Sequence, residues 1–393
     1  MDQESEYLLR VLKGFLHNEN PGPFSSQWMK LIQLANIHSV GGILGYMVMN
    51  YPDESNASVA KLMRGQCLRS VEVFAQRAEK MRLLIEKLDE QGIDHLLFKG
   101  YILKDYYPVP ELRSYGDVDF LIRREDRQKC DELMMALGFT RKTDWEPVFS
   151  YIRGNEYYEI HTDVMEVDVS DKADYKGYFS HTWERAILAE NHTYVLSPED
   201  HLIYLLTHIA KHLSGSGAGI RMYLDIAVFL KHFAGRLDWD YLQAEFEKLC
   251  FTDFVNMVLS LVEHAFGIDS PIPLKPVDEQ VLDDFLEFTM AGGTFGHHGR
   301  DAGMISLKSQ DRKGESVSRS ATLLHRLFPP AKNLEKRYTY LQDKPWLLPV
   351  AWVDRVIRTR SSLGKHAEEA KSIMSTDEEK VLRFRRIYDE IGL

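Results

Sequence analysis

Apolar positions recur at helical spacing through the first ninety residues of the chain. Four leucines between residues 8 and 16 share one face of a helix. Residues 57–91 continue with a longer amphipathic pattern, and Gly92 follows as the expected C-terminal cap. The pattern predicts an N-terminal helical region over residues 1–90.

The pattern changes between residues 91 and 196, where short apolar runs replace the helical period. The runs "IDHLLFKG", "DVDFLI", "PVFSYIRG" and "NEYYEIHTDV" are typical of strands, and "REDRQKCDELMMALGF" has a helical pattern. Helical patterns return at Ser197, which is followed by a proline and two acids, as at a helix N-terminus. We predict an α+β fold with three parts: residues 1–90 helical, residues 91–196 a small mixed sheet with helices, and residues 197–393 helical.

Composition narrows the class of protein. The chain has 393 residues, which suits two or three domains, and its 44% hydrophobic and 27% charged content is that of a globular protein. The formal net charge of −11 disfavours nonspecific attraction to nucleic acid or to an anionic membrane. We therefore expect neither a long nucleic acid nor a membrane as a partner.

Cysteine usage and the N-terminus bear on the compartment. The three cysteines lie far apart and suggest no disulfide framework, which favours a reducing environment. The first residues are acidic and amphipathic, unlike a signal peptide, and no apolar run reaches the ~18–20 residues of a membrane span. We expect a cytoplasmic protein.

Two aspartates interrupt the apolar strand "DVDFLI". Because side chains alternate along a strand, Asp117 and Asp119 point to the same side of the sheet. Two carboxylates there repel each other unless a cation lies between them, and Mg²⁺ is commonly held by one or two carboxylates together with substrate phosphates. The pair predicts a metal site, and the alternative is a solvent-facing edge strand.

The residues before this strand are suited to phosphate. Lys99 and Gly100 end the first strand directly before a helical segment, where backbone N–H groups and a glycine allow close approach of phosphate oxygens. Arg113 lies four residues before Asp117 and offers a further cation. The alternatives are an ordinary turn for Lys99–Gly100 and a surface ion pair with Glu111 or another acid for Arg113.

A later strand brings a third acid. Glu159, His161 and Asp163 alternate with other residues and therefore share one face. Glu159 either adds a carboxylate to the metal site or accepts the proton of an acceptor hydroxyl. His161 either pairs with a carboxylate or phosphate or is structural, and Asp163 belongs to the wet face.

Three further features carry weaker signals. His208 and His212 share a helix face, but a zinc site needs more ligands, so we expect this helix to pack beside the sheet with His208 or Lys211 facing the cleft. Arg221 and Asp225 have the spacing of a salt bridge on a helix surface. The glycine- and histidine-rich stretch 292–303 is a loop, either over the acceptor site or on the ordinary surface.

Together these motifs resemble the DNA polymerase β-like nucleotidyltransferase superfamily. More narrowly, the chain is similar to an uncharacterised nucleotidyltransferase family of bacterial proteins over about residues 80–265. The matching segments include "LLFKG", "RSYGDVDFLI", "EIH", "LSPEDHLIYLLTHIAKH" and "MYLDIAVFL". The sequence departs from the superfamily at Lys99–Gly100, where Gly-Ser is usual.

The resemblance implies a function and a site. It implies transfer of a nucleoside monophosphate from an NTP, with ATP the first candidate, to a hydroxyl acceptor, with Mg²⁺ or Mn²⁺ as cofactor. It implies that Asp117, Asp119 and Glu159 are the metal-binding and catalytic acids, and we expect Lys99, Gly100, Arg113 and His161 to bind the nucleotide phosphates. The alternative is a catalytically silent nucleotide-binding regulatory module of the same fold.

Overall fold

The computed structural model describes residues 1–114, 116, 118–145, 147–165, 168–214, 217–293, 328–331, 334, 338, 340–358 and 378–392. Residues 1–298 with 390–393 form one compact unit, and residues 299–389 form a second. The second unit has a small core of Leu334, Tyr338, Leu341 and Ala351. The division into three domains predicted from the sequence stays a prediction.

Helices precede the sheet. They are α1 (Gln3–His17), α2 (Trp28–Ile37), α3 (Gly41–Asn50) and the long α4 (Ala60–Glu90). The side chain of Asp2 caps α1 by accepting a hydrogen bond from the N–H of Ser5 at 2.9 Å. Gly92, with φ of +58°, follows α4 as the sequence predicts.

A mixed sheet occupies the middle of the chain. Its strands within the described residues are β1 (His95–Leu97), β2 (Val118–Ile122), β3 (Thr140–Trp145), β4 (Val148–Arg153), β5 (Glu156–His161), β6 (Ile187–Glu190) and β7 (Thr193–Val195), in the order β3-β4-β5-β2-β1-β7-β6. Strand β2 pairs parallel with β5 and antiparallel with β1, while β1 pairs parallel with β7. Thus β2 lies at the centre of the sheet with a parallel neighbour on one side.

Short helices connect these strands, and longer ones follow them. The connecting helices are α5 (Gly100–Leu103), α6 (Arg127–Ala136), α7 (Tyr175–Ser180) and α8 (Thr182–Arg185), with 3-10 turns at Lys104–Tyr106, Pro110–Leu112 and Arg124–Asp126. The later helices are α9 (Pro198–Ser214), α10 (Ile220–His232), α11 (Trp239–Lys248), α12 (Thr252–Phe266) and α13 (Glu279–Ala291). A 3-10 turn at Pro345–Leu347 and helices α14 (Tyr340–Asp343), α15 (Leu348–Arg358) and α16 (Glu378–Ile391) complete the described elements.

One face of the sheet is apolar at its centre. Val118, Phe120 and Ile122 of β2 and Ile160 of β5 pack with residues of α4 and α6 in one buried cluster. Because side chains alternate, the intervening residues of β2 and β5 project from the opposite face. That opposite face carries the polar residues described below.

The predicted fold class is confirmed, since a small mixed sheet is flanked by helices on both sides in sequence. Ser197 starts α9 as predicted, with its Oγ accepting the N–H of Asp200 at 3.0 Å. The sequence patterns did not predict strands β3, β6 and β7 or the short helices α7 and α8. Within the described residues, no helix combines the length and apolar character needed to cross a membrane.

Candidate active site

Two carboxylates lie side by side on the adjacent parallel strands β2 and β5. Asp119 is in register with Glu159, and both residues alternate with side chains that enter the apolar core. Asp119 is buried, whereas Glu159 is half-buried and its Oε1 accepts a hydrogen bond from Tyr157 Oη at 3.0 Å. Strand pairing thus places two acids side by side on the polar face of the sheet.

Asp119 receives two donors on one oxygen. Its Oδ1 lies 2.6 Å from Lys99 Nζ and 2.9 Å from His161 Nε2. Since a carboxylate only accepts, His161 Nε2 must carry the proton in this hydrogen bond. Burial by itself would raise the pKa of Asp119, but the charge of Lys99 and the hydrogen bond from His161 outweigh it and hold this pKa well below its usual range. Asp119 is therefore a carboxylate at neutral pH.

The acids of this cluster fit a hard divalent cation. Asp119, Glu159 and His161 each offer one ligand atom, and these atoms lie within 4.8 Å of one another. Mg²⁺ prefers oxygen, so Asp119 and Glu159 are the natural donors, while the imidazole of His161 orients the Asp119 carboxylate. Asp117, the other acid predicted from the sequence, lies outside the described residues.

Lys99 has an unusual backbone conformation. It follows β1 at φ of 57° and ψ of −139°, a region that residues with a side chain rarely adopt. Such conformations cost about 1–3 kcal/mol and are concentrated at functional sites. This turn points the lysine ammonium at Asp119 directly before helix α5 begins at Gly100.

Gly100 lets a guanidinium lie against that turn. A Cβ placed at Gly100 would be 2.2 Å from Arg113 Nη1, so a side chain there would displace Arg113. Arg113 is itself buried and fixed by Asp225 of α10, with Nε to Oδ1 at 3.1 Å and Nη2 to Oδ2 at 2.8 Å. Tyr107 Oη donates to the same carboxylate at 2.7 Å. This paired arginine therefore links the turn at Gly100 to the helices that follow the sheet.

The structure corrects one sequence interpretation at this point. Arg221 and Asp225 were assigned to a salt bridge on a helix surface, but Asp225 is only 5% exposed and bonds with Arg113. Arg221 Nη1 donates to the carbonyl of Ser114 at 3.0 Å. Asp225 of α10 therefore forms a buried ion pair with Arg113 instead of a surface pair with Arg221.

Helix α9 contributes a pair of histidines on the other side of the cleft. His208 and His212 face each other with their Nε2 atoms 3.2 Å apart, and the ring of His208 stacks on Tyr204. Burial, together with the nearby charge of Lys99, holds the pKa of His208 well below its usual range, so this ring is neutral at pH 7. The helical spacing of the two histidines was the sequence signal for their shared face.

Most of the residues predicted to form the site line one cleft. This cleft has a volume of about 250 Å³, and Lys211 and His212 of α9 also line it. The predicted site residues along its wall are Lys99, Gly100, Arg113, Asp119, Glu159 and His161. Of the loop predicted over residues 292–303, residues 294–303 lie outside the described residues. Asp163, assigned to the wet face, pairs with Arg124 at 2.7 Å and stays partly exposed.

Comparison with known proteins gives one family match. The family model described as uncharacterised nucleotidyltransferase matches residues 25–267, which is more than half of the chain and includes the whole sheet. No curated protein matches the chain significantly. A solved structure of the antibiotic-resistance factor ANT(2'')-Ia is similar at 12% identity and a TM-score of 0.33, over 44% of this chain and 92% of that chain. Likeness at this level establishes neither a common fold nor a common substrate.

Proposed function

The chain belongs to the uncharacterised nucleotidyltransferase family and is a transferase, and from this premise we propose that it moves a nucleoside monophosphate from an NTP to a hydroxyl acceptor with release of pyrophosphate. One observation carries the proposal. Asp119 and Glu159, in register on parallel strands, present carboxylate oxygens within 4.8 Å of each other in a cleft that also contains Lys99.

Carboxylates in this arrangement suit a divalent cation bound together with a triphosphate. Asp117, Asp119 and Glu159 would hold it, with Mg²⁺ the first candidate and Mn²⁺ the second, because both prefer oxygen ligands. Such an ion supplies charge neutralisation and orientation of the phosphates.

Cationic and backbone groups of the cleft would bind the phosphates. Lys99 exchanges its contact with Asp119 for a phosphate oxygen, and Gly100 leaves room for phosphate at the turn. Arg113, which pairs with Asp225, would offer an N–H donor to the phosphates rather than net charge. His161 keeps the Asp119 carboxylate oriented during this exchange. Catalysis then comes mainly from positioning and charge stabilisation.

The chemical step is an in-line displacement at the α-phosphorus. The acceptor oxygen forms a bond to this phosphorus, and the bond from the phosphorus to the oxygen that bridges to the β-phosphate breaks. Pyrophosphate leaves with that oxygen, and the hydroxyl proton passes to a carboxylate of the cleft. If Glu159 does not bind the cation, it is the candidate base, since it is less buried than Asp119.

Transfer of label from the α-phosphate tests the proposal. The protein is incubated with Mg²⁺, each α-labelled NTP in turn and a bacterial cell extract, and labelled products are separated from NTP. We expect label in an acceptor, with ATP as the donor. The variants Asp119→Asn and Glu159→Gln should each lose at least ~100-fold of the activity, the scale seen when one preorganised charge-stabilising group is removed.

A matched acid controls for the loss of charge. Asp163→Asn removes a carboxylate two residues beyond β5 that bonds with exposed Arg124, and it should leave transfer unchanged. If the wild type binds ATP tightly but labels nothing in any extract, the protein is a silent nucleotide-binding module and the proposal is wrong. Equal loss in all three variants would also contradict the assigned site.

A further inference from the structure

A second cavity lies next to the cleft, between helices α3 and α4. Its volume of about 550 Å³ falls within the range of small-molecule sites, about 300–1,000 Å³. The first turn of α3, one side of α4 and the segment 111–114 line it. We call this cavity the α3–α4 groove.

The α3–α4 groove and the cleft share a wall. Arg113 lines both cavities, while a small cavity of about 30 Å³ is lined by Gly116 of the cleft and Arg77 of the groove. Ser114 is hydrogen-bonded to residues of both cavities. Its Oγ donates to the carbonyl of Ser39 at 2.5 Å, and its own carbonyl accepts a hydrogen bond from Arg221. Among the described residues, Arg113 therefore borders both cavities, and Ser114 of the groove is hydrogen-bonded to Arg221 of the cleft.

The groove favours a negatively charged ligand. Arg69 and Arg77 of α4 line it, and Glu111 is the acid among its lining residues; Arg113 is already neutralised by Asp225. The groove also contains the N-terminus of the ten-residue helix α3, where Val40 provides no side-chain cap. That helix end carries partial positive charge and N–H groups that suit oxygen atoms of an anion.

The groove also has an apolar side. Leu62 and Val73 of α4, which are 47% and 41% exposed, line the groove together with half-buried Phe74. Apolar side chains exposed in a cavity offer a contact surface for the carbon skeleton of a ligand. The positive charge and the apolar surface of the groove together suit an organic anion as its ligand.

We propose that the α3–α4 groove binds the acceptor, and that the acceptor is a small organic anion bearing a carboxylate or phosphate group and a free hydroxyl. This inference rests on the proposed function and names its acceptor class. The anionic group binds Arg69 and Arg77, and the hydroxyl reaches past Arg113 and Gly116 to the α-phosphorus of the NTP in the cleft. The two arginines disfavour a polycationic acceptor, and the volume disfavours a macromolecule.

Fractionation of the acceptor pool tests the class. The small molecules of a bacterial extract are separated by ion exchange into anionic, neutral and cationic pools, and each pool is incubated with the wild type, Mg²⁺ and α-labelled ATP. We expect labelled product from the anionic pool. Product formed only from the cationic, neutral or macromolecular fractions would overturn the inference and leave nucleotidyl transfer standing. No labelled product from the whole extract would instead overturn the proposed function, and this inference with it.

Variants of α4 test the place. With the anionic pool at limiting concentration, Arg69→Ala/Arg77→Ala should lower product formation at least about tenfold, the scale of a lost hydrogen bond to a charged group. Binding of a fluorescent ATP analogue should stay unchanged, which separates the acceptor from the donor. Arg69→Lys/Arg77→Lys should recover part of the activity.

A matched control lies on the same helix. Arg64 is exposed on α4 and is not among the residues that line the groove, so Arg64→Ala should behave like the wild type. If the double alanine variant keeps its fold by circular dichroism and transfers label like Arg64→Ala, the groove is not the acceptor site.

Discussion

Asp119 shows how one buried charge is stabilised. It is 5% exposed, and a carboxylate at that depth is costly unless it is paired and hydrogen-bonded. Lys99, from the turn after β1, and His161, from β5, supply both interactions. Strand alternation predicted the face of the sheet on which Asp119 lies. Its partners depend on which strands neighbour β2, and the local sequence does not determine that order.

The backbone of Lys99 leads to a prediction about stability. Because φ of 57° with ψ of −139° suits glycine, Lys99→Gly should be more stable than Lys99→Ala by about 1–2 kcal/mol, although both lack the ammonium. Urea unfolding of the two variants measures the difference. If the alanine variant is the more stable, the turn is not strained at this residue.

His201 leads to a prediction about pH. It is fully buried beside Phe229, and burial lowers its pKa from 6.5 to about 4, with Asp225 opposing the shift. The unfolded chain therefore binds a proton at His201 below about pH 6.5, while the folded protein does so only near pH 4. Stability from the neutral ring is complete above pH 6.5 and is lost as the pH falls through this window, by about 3 kcal/mol in all.

A variant isolates that contribution. In His201→Phe, the free energy of unfolding should fall less between pH 7 and pH 4 than in the wild type, as measured by urea titration at each pH. His181→Phe removes an exposed histidine and controls for the loss of an imidazole at the surface. Equal slopes in all three proteins would show that His201 is not a buried neutral ring.

At the scale of elements, helices α3 and α4 cross in close contact. A Cβ at Gly45 of α3 would lie 2.5 Å from the backbone carbonyl oxygen of Met63 in α4, and a backbone atom cannot move aside cheaply. A Cβ at Gly65 of α4 would meet nothing within 4 Å. The two glycines therefore differ in role although both lie within helices.

Alanine at each glycine gives opposite results. Gly45→Ala should lower the free energy of unfolding by about 1–3 kcal/mol through overpacking, whereas Gly65→Ala should raise it by about 0.5–1 kcal/mol through helix propensity. Thermal and urea unfolding measure both. If Gly45→Ala is tolerated as well as Gly65→Ala, the two helices are not packed this closely.

Elements with a strong local pattern were predictable from the sequence, and those formed by long-range pairing were not. Strands β1, β2, β4 and β5 have apolar runs and a Gly154–Asn155 turn between the last two. Three of the six residues of β3 are charged, and β6 and β7 have only four and three residues, so these strands carry little periodic signal. Strand β7 forms by pairing with β1, nearly a hundred residues earlier in the chain.

At the scale of the molecule, the sheet assembles the candidate site from distant segments. Lys99, Asp119 and Glu159 come from three neighbouring strands or their ends, and Arg113 depends on Asp225 from a later helix. The sequence could predict which residues have suitable chemistry, because the order of the motifs is specific. It could not predict the Arg113–Asp225 pair or the α3–α4 groove, since both depend on how helices far apart in the chain pack against the core.

The fate of the two ends of the triphosphate tests the central claim most directly. Parallel reactions of the wild type use ATP labelled at the α- or the γ-phosphate, the same acceptor pool and Mg²⁺, and pyrophosphate is quantified beside the labelled product. We predict α-label in the product, γ-label only in pyrophosphate, one pyrophosphate released per product, and loss of all three signals in Asp119→Asn. Transfer of γ-label to the acceptor, or α-labelled product at wild-type yield from Asp119→Asn, would contradict nucleotidyl transfer at this site.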